Sequence, residues 1–167
     1  MDLLLDFQGF KDNNNQFVIK ELSIVSKDGR YFQHWIVKSP FPYTILDFNR
    51  KKCCYWNSKY YHGLSWDDGD ISTQDLHRLL TDILKDSCVF VKGKEKADYI
   101  QEHFNNCYVF ELQDFPSLKT LKDPGLYCFQ HRHSKLTCAL NNVYRLLKFY
   151  NEEINCLFNF VYLIFRL

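Results

Sequence analysis

The stretch from Tyr127 to Asn142, YCFQHRHSKLTCALNN, concentrates the side chains that can hold a soft metal ion. Cys128 and His131 are separated by two residues, and Cys138 follows in the same window. Thiolate and imidazole are the ligands that tetrahedral zinc prefers, and short Cys/His spacings let neighbouring side chains close on one ion. Three ligands are one short of a closed structural site. His133 lies two residues from His131 and could take its place. A plainer reading makes Cys128 and Cys138 buried thiols and puts the histidines on a solvated loop.

A second chemistry is carried by NRKKCCYWNSKYYHG, where Arg50, Lys51, Lys52 and Lys59 interleave with Tyr55, Trp56, Tyr60 and Tyr61. Basic side chains can follow phosphates while aromatic faces stack bases, which is how single strands are bound without base readout. Lys92, Lys94 and Lys96 form a second basic group, and Arg132, Lys135, Arg145 and Lys148 add charge near the Cys/His window. The alternative is a solvated loop whose aromatics pack on the core. With a net charge of +1 and a pI near 7.6, the chain has no overall field to hold a polyanion. Affinity for nucleic acid would have to come from a local patch and would fall as salt rises.

These groups must be positioned by one ordinary domain, since 167 residues suffice for one buried core. The composition, 46% hydrophobic and 17% aromatic, excludes a disordered or low-complexity chain. Seven cysteines is an odd count, and no amino-terminal segment has the layout of a signal peptide. The expectation is an intracellular, reduced protein that is not secreted, with thiols as metal ligands or core residues. Cys53, Cys54, Cys88, Cys107 and Cys156 show no partner pattern and read as structural.

DLLLDFQGF is a short apolar run with a polar end and reads as a buried strand. A KDNNNQ turn, the strand FVIKELSIV, a KDG turn and the strand RYFQHWIVKSP follow, giving an antiparallel meander. Tyr43 to Asp70 reads as irregular. Ser72 and Asp75 form a capping box before LHRLLTDIL, and CVFV, KEKADYIQEHF and CYVFEL predict strand, helix and strand. ALNNVYRLLKFY is an amphipathic helix. The order β-β-β-α-β-α-β-α predicts an α/β fold, a mixed sheet with helices on both faces. Residues 1–150 form the expected domain. The apolar tail, 151–167, contains INCLFNFVYLIFRL, 14 residues and short for a membrane span; it reads as a strand or packing segment.

This order is similar to the RNase H-like fold. LLLDFQGF followed by FVIKELSIV resembles the opening of the proofreading-type (DEDDh) 3'–5' exonucleases, in which Asp-x-Glu on the first strand faces a second strand carrying Glu. YYHGLSWDDGDIS resembles the segment before that family's first helix, and CVFVKGKEKADYI has the frame of its strand-to-helix step. The resemblance spans roughly Leu3 to Tyr150 and implies catalytic positions at Asp6, Gln8, Asp98 and Asn142. That chemistry needs four carboxylates around two divalent cations, Mg²⁺ or Mn²⁺, and a histidine base. Here Gln8 replaces the glutamate, Thr137 stands at the histidine position, and Asn142 or Asn141 at the last aspartate. An amide brings no charge to a cation, so the implied two-metal centre is broken.

In this architecture Glu21 on the second strand lies near the start of the last helix. A Glu-Cys-His-Cys zinc set of Glu21, Cys128, His131 and Cys138 resembles that of the Maelstrom domain and of the exonuclease domain of arenavirus nucleoproteins. Maelstrom domains also lack the usual catalytic carboxylates, so the resemblance is closest to that branch. It implies a zinc-stabilised, catalytically degenerate domain that binds single-stranded nucleic acid, RNA before DNA. Arg50, Lys51, Lys52, Lys59, Lys94 and Lys96 are the candidate contacts. An active divalent-metal-dependent nuclease and a protein-interaction module are the alternatives.

Overall fold

The computed structural model describes residues 1–131 and 137–164, with 153–164 described as backbone only. The first two strands, β1 (Asp2–Lys11) and β2 (Phe17–Ser26), pair antiparallel. The turn between them is built by Asp12, whose Oδ1 accepts the N–H groups of Asn14 (2.9 Å) and Gln16 (2.8 Å). Asn15 fills its left-handed position at φ 65°, which asparagine tolerates better than most residues. β3 (Phe32–Ile36) extends the meander along the far side of β2. β4 (Cys88–Val91) and β5 (Tyr108–Glu111) add parallel strands on the other side of β1. The sheet is therefore mixed, with the order β3-β2-β1-β4-β5.

β1 is apolar on both faces because both are covered. Leu3, Leu5 and Phe7 pack with Leu76, Leu80 and Leu84 of α2 (Thr73–Leu84) and Ile100 of α3 (Lys94–His103). Leu4 and Val25 point the other way, onto Val143, Leu146 and Leu147 of α4 (Ala139–Ile164). Helices thus lie on both faces. α2 starts as expected: the Ser72 side chain accepts the Asp75 N–H at 3.0 Å. At Gly9 the β1–β2 register shifts by a bulge. An added Cβ there would lie 1.9 Å from the Val18 carbonyl oxygen, so only glycine fits.

Two segments depart from the sequence expectation. The stretch read as irregular contains a helix, α1 (Phe48–Trp56), capped by Asp47 accepting from Arg50 N–H at 2.8 Å. It continues into a π-helical turn, Asn57–Tyr61. Only Cys54 of α1 is buried, while Phe48, Tyr55 and Trp56 are exposed, so no apolar stripe marks it. The second departure is the tail, whose described backbone runs on as helix to Ile164 in place of the expected strand. Between α1 and α2 the chain is tied to the sheet by Lys20, fully buried on β2. Its ammonium donates to the carbonyls of Trp66 (2.8 Å) and Asp68 and to the Ser39 hydroxyl (3.3 Å). Burial pulls it down to about 8.

Candidate metal centre and the adjoining cleft

Strand alternation puts a polar row on the sheet face beneath α4. Asp6 pairs with Ser23, Gln8 with Glu21, and Ser23 with His34 across three neighbouring strands. Glu21 is wholly buried, so its carboxylate must be satisfied by protein groups or an ion. Its two oxygens are used differently. Oε2 accepts the Ala139 N–H at the start of α4 (2.8 Å) and the Gln8 amide. Oε1 faces His34 Nε2 (2.9 Å), His131 Nε2 (3.0 Å) and Cys138 Sγ (3.4 Å).

The ligand atoms form two overlapping groups that share Glu21: Glu21, His131 and Cys138, and Glu21, His34 and Cys128, within 4.8 Å in each. All four ligands expected from the sequence converge: Glu21 stands with His131 and Cys138 in one group and with Cys128 in the other. His34 is a fifth that the sequence reading missed. His133, the alternative to His131, lies outside the described residues. The surroundings fit a metal centre. His131 Nδ1 hydrogen-bonds the His62 carbonyl, which leaves Nε2 free to ligate. The sulfurs accept backbone N–H groups, Cys138 from Cys128 and Cys128 from Gln130, both at 3.4 Å.

Burial pushes Glu21 up, but hydrogen bonds from His131 and His34, the imidazolium charge and the Ala139 N–H outweigh it and hold it well below the carboxylate range. Burial likewise opposes charge on both histidines. Hydrogen bonds to Cys128 and Glu21 nevertheless raise His34 to about 9, and those to Cys138 and Glu21 raise His131 to about 10. Burial pushes the Cys138 thiol up. Without an ion the centre holds its charge balance with protons, which a metal would displace on binding.

Asp6, two residues from Gln8 on the same face, has another environment. It is fully buried, and the Lys96 ammonium and the Asn142 amide, at 2.8 Å, both donate to it. Burial raises its carboxyl, and the opposing pull of Lys96 and Asn142 only partly offsets it. Asn142 thus faces Asp6 as expected, whereas Asn141 turns to Asp123 (2.9 Å). Asp98 does not join them. It is half-exposed on α3 and ion-paired with Lys94 at 2.9 Å. The helix begins after Gly93, so Lys96, about 200° from Asp98 around the axis, is the residue turned to the sheet. Gln8 belongs with Glu21 and Thr137, whose carbonyl it donates to at 2.7 Å.

Over this row opens a cleft of about 750 Å³, lined by Lys92, Lys96, Lys119 and Arg145 with Tyr61 and Tyr127 and, among the described residues, by no carboxylate. Of the six candidate contacts only Lys96 reaches it, beside Lys92 and Arg145 from the other basic groups of the sequence. Lys94 is held by Asp98, Arg50 donates to Asn15 (3.1 Å) and Lys51 to the Thr44 carbonyl (3.0 Å). Lys52 lies over the Phe48 ring, and Lys59 bonds the Tyr55 hydroxyl (3.1 Å) on the exposed side of α1. Lys119 had no sequence signal. Among the described residues no helix is long and apolar enough to cross a membrane. Comparison with family models finds no match, and comparison with curated protein sequences finds none at a significant level.

Proposed function

We propose that this chain is a zinc-stabilised, catalytically degenerate domain of the RNase H-like, exonuclease-type fold, similar in its metal centre to Maelstrom domains. It binds single-stranded nucleic acid in the cleft beside that centre. The sheet order, with β1 to β3 antiparallel and β4 and β5 parallel to β1, supports the fold. The observation that carries the function is the contrast between two buried carboxylates under α4. Glu21 is surrounded by imidazoles and thiols, the donor set zinc selects. Asp6 is met by an ammonium and by an amide N–H, both of which repel a divalent cation.

Zinc would be held by Glu21 with a selection of His34, Cys128, His131 and Cys138, tying β2 and β3 to the start of α4. Such a cross-link between distant parts of the chain adds directly to folding stability. Of the cleft's cations, Lys96 pairs with Asp6, Arg145 with Asp123 (3.3 Å), and Lys92 donates to the Leu112 and Gln113 carbonyls. Exposed Lys119 is therefore the leading phosphate contact, with Tyr61 and Tyr127 as the aromatic side chains for bases. Metal analysis beside binding and cleavage assays on one preparation tests the reading. The expected result is one zinc per chain and binding of single-stranded RNA or DNA that weakens with salt. RNA labelled at one end should stay intact with Mg²⁺ or Mn²⁺. Cleavage that is lost on Asp6→Ala would overturn the degenerate assignment, and zinc-free folded protein would overturn the metal centre.

A further inference from the structure

On the other side of the π-helical turn lies a second cavity, about 420 Å³, between α1 and the segment before α2. Tyr43, Tyr55 and Trp66 supply aromatic walls, with Lys59 and Asp67 at its edge. Trp66 is a fixed floor: it is 2% exposed, its indole N–H donates to the Phe41 carbonyl at 2.8 Å, and Phe10 and Phe41 pack on it. Tyr55 is the exposed wall, 60% accessible, its hydroxyl accepting from the Lys59 ammonium. The neighbouring acid Asp68 is engaged by the Ser65 N–H (2.6 Å). Asp67 is exposed and makes no hydrogen bond or ion pair with any described residue.

We infer that this cavity takes one guanine base of a bound single strand, an inference that rests on the nucleic-acid reading above. Its volume lies in the range of small-ligand pockets, and the exposed Tyr55 ring with the half-buried Tyr43 ring can stack a base over the buried Trp66 floor. The free carboxylate makes the choice. Guanine alone presents two adjacent donors, N1–H and the 2-amino group, which match the two oxygens of one carboxylate. Uracil shows a single N–H between two carbonyls, and adenine and cytosine put a ring-nitrogen acceptor beside their amine, so Asp67 repels part of each edge. Lys59 stands beside the same opening for the attached phosphate. The π-helical turn gives Ser58 and Lys59 to this cavity and Tyr61 to the basic cleft, so the two openings share one element.

Binding titrations compare an oligoadenylate with the same oligomer carrying one internal guanine, using the zinc-loaded full chain at low salt. The guanine oligomer should bind roughly tenfold more tightly, in line with a bidentate side chain–base pair. Asp67→Asn, an exposed change checked by an unaltered melting temperature, should bring that ratio toward one. Lys119→Ala in the cleft should weaken both oligomers by the same factor and keep the ratio. Equal binding of the two oligomers, or a guanine preference that survives Asp67→Asn, overturns the guanine pocket and leaves the nucleic-acid reading standing. Failure of both oligomers to bind overturns the two together.

Discussion

Replacing Lys96 by methionine tests whether the ammonium is what makes Asp6 tolerable under α4. Methionine keeps the stem beside the Phe7 ring and removes the charge. Asp6 stays buried with Asn142 alone, and it then has two courses. Holding an ordinary carboxyl, of pKa about 3.9, protonated at pH 7.5 costs about 5 kcal/mol. Keeping a buried charge after its partner is removed costs about 3–5 kcal/mol. The Lys96 side chain is 24% exposed, so the variant regains only part of an ammonium's desolvation. The expected net loss is about 3 kcal/mol, or about 6–12 °C in melting temperature for a chain of this length.

The pH dependence separates this from a packing defect. In the variant, burial keeps the Asp6 carboxyl above its unfolded value, so the fold prefers the protonated form. That preference is satisfied at low pH and becomes a cost as pH rises. The ceiling on the loss shrinks from about 5 kcal/mol at pH 7.5 to about 1.5 kcal/mol at pH 5. Thermal melts at the two pH values measure it, with Asp6→Asn combined with Lys96→Met expected to recover most of the loss. A deficit of equal size at both pH values, or none at pH 7.5, would refute the idea that Lys96 neutralises Asp6.

Stripping zinc with a chelator, or Cys138→Ala, should lower the melting temperature by about 10 °C or more and abolish stoichiometric zinc in elemental analysis. The metal-free and zinc-loaded proteins should respond oppositely to pH. His34 and His131, raised to about 9 and about 10, stabilise the metal-free fold fully below about pH 6.5, and that contribution disappears as pH rises through those values. Zinc requires the same groups deprotonated, so its affinity falls as pH falls, and melts with and without chelator across pH 6–10 check both signs. Gly9→Ala sets a methyl against the Val18 carbonyl and should cost about 3 kcal/mol or more by urea denaturation.

What the chain reveals in one dimension divides along physical lines. β1 and β2 were legible because apolar runs between Asn- and Gly-rich turns admit little else, and α2 because a capping box precedes a helical leucine pattern. Glu21 meeting Cys128 and Cys138 followed from the order of elements that the resemblance supplied. α1 stayed hidden because its aromatics face solvent and only Cys54 is buried, so helical periodicity has no apolar stripe to show. His34 reaches Glu21 through the β2–β3 register, which local sequence does not set. Asp98 was misplaced because a motif frame counts residues, while the phase of α3 depends on where the helix begins. A shift of two residues exchanges an outward carboxylate for an inward ammonium.

Gln8 ties the polar row beneath α4 to the Glu21 ligand cluster. Its amide donates to Glu21 Oε2 and to the Thr137 carbonyl, leaving Oε1 of Glu21 for the histidines and thiols. The glutamate that a two-metal nuclease needs at this position has no donor to give. Gln8→Glu would set a second carboxylate against Glu21 and a lone pair against the Thr137 carbonyl. Two unit charges 4 Å apart repel by about 4 kcal/mol at the effective dielectric of a protein site, so one of the pair must take up a proton or swing away. Glu21 would lose its support as a ligand. The expected outcome is weaker zinc retention against a chelator, a lower melting temperature and no Mg²⁺-dependent cleavage, because Lys96 still occupies Asp6. A Gln8→Glu protein that kept its zinc and gained nuclease activity would show that the two sites are independent. Within the geometry of β1 and β2, residue 8 can serve Glu21 or a catalytic cation, and the amide serves Glu21.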